Sequence, residues 1–187
     1  MPGIAGGRRF LMHDHHAKIE MVRTEEPHRR PTDRIPHPRP IYFEIPVGRE
    51  NLSNTIAHVD NVTYVRWLDR VAEVAGDELG HSRKTLAERQ RMWFVARHEI
   101  DYLAETFAGD RVLAATWIHD ARKTTCRRDT LLWRNEPDEI RLIAQARTTW
   151  AWIDLTRRRP CRMPQDLIER LDPLHPGDDR AGRGTRS

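Results

Sequence analysis

Residues 54–71 read NTIAHVDNVTYVRWLDRV. The run changes character in its middle. Its first half gathers Asn54, His58, Asp60 and Asn61 within a few residues. Its second half repeats apolar residues at steps of three and four, through Tyr64, Trp67, Leu68, Val71, Val74 and Ala75. That period predicts an α-helix with one apolar face. Asp60 or Asn61 can cap it, because a side-chain oxygen there accepts from an orphan N–H of the first turn. Gly76 or Gly80 can end it. Acid, base and amide groups therefore crowd a helix start. Two readings follow: capping alone, or an active site at the helix N-terminus.

Around this helix the order of elements is readable. IYFEIPV, from Ile41, alternates and predicts a strand. After the helix, HSRKTLAERQR reads as a polar loop. Four β-like stretches come next: MWFVARHEIDYL, RVLAATWIHDARKT, TCRRDTLLWR and IRLIAQARTTWAWIDL. AGD before the second and NEPDE after the third are turn signals. The last is rich in β-branched and aromatic residues, which favour strands. MPQDLIERL predicts a short closing helix with Pro164 near its first turn. Strand, long helix, then consecutive strands gives an α+β fold: a curved antiparallel sheet wrapped around one central helix.

The ends differ from this core. Residues 1–40 hold 6 of the 12 prolines and 5 of the 10 histidines, without period. They predict a disordered arm, residues 41–171 one folded domain, and residues 172–187 a frayed tail. His13 to His16 (HDHH) have no further ligand at a fixed spacing, so no metal site and no cofactor is expected. The pI of about 9.5 raises the question of nucleic acid. However, the first 40 residues carry 8 Lys and Arg against 5 Asp and Glu, while residues 41–171 carry 21 against 20. The folded part lacks the clustered cationic charge that nucleic-acid binding needs. No stretch approaches the roughly 20 apolar residues of a membrane span, and the N-terminus has no signal-peptide core. Two cysteines, Cys126 and Cys161, make no disulfide framework. These features together predict a reduced, cytoplasmic protein.

The core resembles the hot-dog-fold acyl-CoA thioesterases of the 4-hydroxybenzoyl-CoA type. The family phrase runs roughly D-x-x-G-H-V-N-N-x-x-Y-x-x-W-x-E. Here Asn54, His58-Val59-Asp60-Asn61, Tyr64, Trp67 and Asp69 fall along it. RHEIDYLAETFAGDRV, DARKTTC and WAWIDLTRRRPCRMP follow in the family's order, so the resemblance covers about residues 41–171. It implies a homodimer or homotetramer with active sites between subunits. It also implies a thioester substrate on CoA or an acyl-carrier protein, with the acyl group beside the helix.

The chemistry fits the position. A thioester carbonyl gains negative charge when attacked, and a helix N-terminus stabilises that oxyanion. The N–H near Asn61 matches that place. The family's usual catalytic Asp falls on Asn54, whose neutral amide cannot be a carboxylate base or nucleophile. Asp60 is then the preferred base, with Asn54 and His58 positioning. The alternatives are Asn54 orienting water with Asp60 only a cap, His58 as base, or a non-catalytic acyl-thioester-binding protein. His58-x-Asp60 also matches the end of a hot-dog hydratase motif, but Ser53 stands where that motif needs its Asp. Asp69 and Glu73 read as solvated or interface charges, and Cys126 as no nucleophile. The tryptophans read chiefly as core and interface mass, with Trp93, Trp150 and Trp152 as candidates to line an aromatic acyl pocket.

Overall fold

A computed structural model of the protein describes residues 19–25, 27, 31, 34–135 and 139–176. His13 to His16, the NEPDE turn from residue 136 to 138, and the tail beyond residue 176 lie outside the described residues. The strands are β1 (Val22–Thr24), β2 (Ile41–Pro46), β3 (Arg91–Tyr102), β4 (Arg111–Ala121), β5 (Thr125–Asn135), β6 (Ile140–Asp154), β7 (Arg159–Pro160) and β8 (His175–Pro176). The helices are α1 (Asn61–Glu78), α2 (Arg83–Glu88) and α3 (Gln165–Arg170). The expected α+β hot-dog architecture is present. Sheet order is β1-β2-β4-β5-β6-β3, with β7 beside β6 and β8 beside β4.

Helix α1 forms where its period places it. Asp60 is the N-cap, its carboxylate accepting from the Thr63 N–H at 2.6 Å. Gly80, at φ +73°, closes the other end in a conformation that only glycine adopts cheaply. Tyr64, Trp67, Leu68, Val71 and Ala75 are buried. Tyr64, Trp67, Val71 and Ala75 pack with Phe43, Ile45, Val112, Ala114 and Leu132, so the helix lies on one face of the sheet. Trp67 and Val71 retain no exposure, and each such side chain contributes on the order of 2 kcal/mol of transfer free energy.

β4 is buried on both faces. Its inner face lies against α1. Its outer face carries Ala115 and Trp117, which cluster with Leu131 and Trp133 of β5. Ile35 and Tyr42 pack on that outer cluster.

Two sequence expectations need correction here. HSRKTLAERQR is not all loop. Ser82 caps α2 by accepting from the Thr85 N–H, and the single buried residue Leu86 anchors the helix in the core. One anchor in six residues leaves too little period to read. The disorder boundaries at residues 40 and 172 also do not hold for the described residues. β1 pairs with β2, with Val22 opposite Glu44. Leu174 N–H donates to the Ile118 carbonyl. His37 is buried, accepting from the Arg39 N–H on Nδ1 and donating from Nε2 to the Asp172 carbonyl at 2.9 Å. Arg39 grips the Asp172 carboxylate in a bidentate pair. Isolated anchors in a proline-rich stretch carry no period, so they look like coil in sequence.

A chain beginning at Ile41 lacks β1, Ile35 and the Arg39–Asp172 pair. It should melt several degrees below the full chain, since about 1–2 kcal/mol shifts a domain of this size by roughly that much. Trp117 and Trp133 should also become more exposed to a fluorescence quencher. An unchanged melting temperature would mean that this segment is not part of the fold.

Candidate active site

The loop from residue 52 to 60 is held at its base and open at its tip. Leu52 and Val59 form a bridge, and the Ser53 N–H donates to the His58 carbonyl at 2.8 Å. The Asp60 N–H donates to Asn51 and the Val59 N–H to Thr106. Asn54 to Ala57 are exposed at the tip.

The loop from residue 103 to 110 meets this loop from the other side. Thr106 is fully buried and held twice, through its carbonyl by Val59 and through Oγ1 by the Tyr64 hydroxyl at 2.9 Å. Gly109, at φ +93°, supports the turn into β4. Fixing Thr106 presents Glu105 to His58, with Nδ1 to Oε1 at 2.9 Å. Arg134 donates to the Glu105 backbone carbonyl at 2.7 Å, which fixes the loop further. A carboxylate can only accept, so the His58 Nδ1 carries the proton toward Glu105, which leaves Nε2 as the ring nitrogen that can exchange a proton.

Asn61 is the first residue of α1 and is exposed. The Tyr102 hydroxyl donates to its carbonyl at 3.3 Å and stacks edge-on against Tyr64. The Thr63 N–H is taken by Asp60, which leaves the N–H groups of Asn61 and Val62 at the helix start. Burial pushes the Tyr64 and Tyr102 phenols above their ordinary values, so both stay neutral donors.

The structure therefore places Asp60, Asn61 and His58 at one helix start. Asp60 is occupied as the cap. Asn54 stands on the exposed tip and makes no hydrogen bond among the described residues. Asp69 and Glu73 pair with arginines, Asp69 with Arg83 at 2.6 Å and Glu73 with Arg70 at 2.8 Å. Cys126 is buried and its thiol is pushed up to about 12, which removes it as a nucleophile at neutral pH. Sequence reasoning missed Glu105. It lies 47 residues beyond His58, and only the doubly anchored Thr106 brings the two together. The one sequence signal is that a histidine offered as a base needs an orienting acid. Among the described residues, no three His, Cys, Asp or Glu side chains cluster to hold a metal, and no helix is long and apolar enough to cross a membrane.

Residues 52–171 match the family model of the thioesterase-like superfamily. The chain belongs to that superfamily. In the fold it is similar to a 1,4-dihydroxy-2-naphthoyl-CoA thioesterase from Synechocystis, with TM-score 0.65 and 19% identity over 73% of this chain and 98% of that one. It is also similar to the 4-hydroxybenzoyl-CoA thioesterase from Pseudomonas sp. strain CBS-3, with TM-score 0.64 and 20% identity over 71% and 99% of the two chains. A Staphylococcus aureus protein solved in complex with CoA gives TM-score 0.66 and 16% identity, covering 80% of this chain and 96% of that one. The palmitoyl-acyl carrier protein thioesterase of Gossypium hirsutum chloroplasts is 24% identical over 110 residues, 59% of this chain. The chain covers only 26% of that relative's length.

Capping by Asp60 gives a stability expectation. Asp60→Ala should cost about 1 kcal/mol by denaturant unfolding, and Asp60→Asn much less, because asparagine still accepts the Thr63 N–H. Equal losses for both would show that the carboxylate charge, rather than the cap bond, is what the fold needs.

Proposed function

We propose that this protein hydrolyses an acyl thioester, on CoA or an acyl-carrier protein, to free acid and thiol. The observation that carries this reading is the His58–Glu105 pair beside the open N–H groups of α1. His58 Nε2 takes a proton from water, which attacks the thioester carbonyl. The carbonyl oxygen becomes an oxyanion and is held by the N–H groups of Asn61 and Val62, aided by the helix dipole. Glu105 stabilises the imidazolium that forms. Collapse of the intermediate breaks the carbon–sulfur bond, and the thiolate takes the proton back from His58. The pair acts without a carboxylate at position 54. Asp60 is the second candidate base, because it occupies the same helix start.

The test is thiol release from a panel of acyl-CoAs by the full chain. His58→Ala and Glu105→Gln should lower kcat by roughly 10²–10⁴ and by less than that, respectively, since a positioned base contributes about this much. Asp60→Asn should keep most of the rate. The opposite pattern, with Asp60→Asn inactive and His58→Ala active, assigns the base to Asp60. A wild-type chain that releases no thiol but hydrates enoyl-CoA would overturn the hydrolase reading.

The protein also works as an oligomer in this reading. β3 ends the sheet path, so one edge of a 12-residue strand has no partner among the described residues. Phe94 and Val95 on it are 45% and 39% exposed. A long, apolar, unpaired edge is a pairing surface, and a second copy in two-fold relation satisfies it. Sedimentation at low micromolar concentration should give a dimer or tetramer, and Phe94→Lys should shift it toward monomer. Cys126 and Cys161 are unpaired, which supports a reducing, cytoplasmic location.

A further inference from the structure

The inner face of the sheet is not uniformly apolar. A buried polar belt of Thr116, Arg128, Thr130 and Thr148 crosses it, between the cluster under the first half of α1 and the cluster under its second half. Arg128 is only 7% exposed. Its guanidinium donates to the Thr116 Oγ1 at 3.2 Å, and it forms no ion pair among the described residues. Its neighbours differ: Arg127 pairs with Asp120, and Arg147 with Asp129. Arginine does not give up its proton in proteins, so this is a buried charge without a counter-charge. Such a charge is costly unless something compensates it.

Arg128 lines a cavity of about 60 Å³ beside the C-terminal half of α1. Ala72 and Gly76 of α1 form one wall, and Trp93, Cys126 and Trp150 stand opposite. Trp150 sits across from Cys126 in the β5–β6 register, so Trp150 and Arg128 are diagonal neighbours on one face. The Trp150 indole N–H is buried without an acceptor. (The indoles of Trp67 and Trp117 also lack acceptors, but neither lines this cavity.) The carboxylate on the rim, Glu73, is already shared by Arg70 and Arg83. His81, also in the wall, is held below its ordinary value by burial and by Arg170 and Arg89. The cavity is therefore largely apolar, with the donors of Arg128 and Trp150 and no unpaired carboxylate among its lining residues, while the neutral His81 imidazole offers one acceptor nitrogen. A water needs only about 10–15 Å³ of such accessible volume, so the cavity has room for a carboxylate and the methylenes beside it.

The cavity also lines up with the candidate active site. β3 spans both, with Tyr102 on the Asn61 carbonyl at one end and Met92 and Trp93 in the cavity wall at the other. From Asn61 to Ala72 the helix rises about 16 Å. We propose that this cavity receives a second carboxylate at the far end of the acyl chain, bound by Arg128 and Trp150, so that the substrate is a long ω-carboxyacyl thioester. This rests on the thioesterase reading above.

The experiment compares dodecanedioyl-CoA, linked through one end, with dodecanoyl-CoA, by thiol release from the full chain. Wild type should favour the diacid thioester at least tenfold in kcat/KM. Arg128→Met should lower that ratio by on the order of 10², because a site built to bind a polar group discriminates strongly on it. Trp150→Phe should lower it about tenfold, and Arg128→Lys should recover part of the loss. Equal rates in wild type, or an Arg128→Met variant that loses both substrates alike, would overturn the proposal. Trp150→Phe serves alone if Arg128→Met does not fold. If wild type hydrolyses neither thioester but releases thiol from other acyl-CoAs of the panel, the proposal fails; if it releases thiol from none, the thioesterase reading fails. Calorimetry with dodecanoate then decides the carboxylate site by itself. Binding that weakens at least tenfold in Arg128→Met, or in Trp150→Phe where that variant stands alone, sustains it, and unchanged or absent binding sinks it.

Discussion

Everything in this fold is referred to Trp67. It is the largest side chain with no exposure, and it sits in the middle of the face that α1 turns to the sheet. Once Trp67 is seated among Phe43, Ile45, Val112 and Leu132, the helix has neither rotation nor sliding left to it. Its N-terminus must then stop beside the loop that carries Thr106. Tyr64 lies three residues earlier, one turn along the same face, and reaches Thr106 with its hydroxyl. An apolar packing decision thus sets a polar geometry. The loop that offers Glu105 is placed by the same helix that offers the N–H groups.

The sequence showed the helix, its cap and the main strands because each carries a strong local signal. α1 has a sustained 3.6-residue period, and β2 to β6 are long enough to alternate. Asp60 was legible both as an acid and as a cap, and the structure gives it the cap bond. α2 and the anchored parts of the arm were not legible. Leu86, Ile35 and His37 are isolated anchors, and isolated anchors leave no pattern in a chain. Glu105 and Arg128 were invisible for a related reason. Glu105 gains meaning only from a residue 47 positions away. Arg128 sits in TCRRDT, where it looks like any charged strand residue until alternation turns it inward and Arg127 outward.

That alternation also explains how one strand can serve opposite needs. On the outer face of β5, Asp129 collects Arg147 and His119. On the inner face, Cys126, Arg128 and Thr130 are buried. These outer pairs are part-buried, and each charged group has a partner of opposite sign or a hydrogen-bond donor. The inner charge is energetically expensive unless something compensates it.

The bidentate grip of Arg39 on Asp172 has a further consequence. The pair joins the segment that leads into β2 to the segment that follows α3, although the two residues lie 133 positions apart. It therefore acts as a clasp between the arm, which lays β1 along β2, and the stretch that runs on to β8 beside β4. Opening it would loosen both short strands at once, while the helix start where His58 and Asn61 stand keeps its own anchor in Thr106.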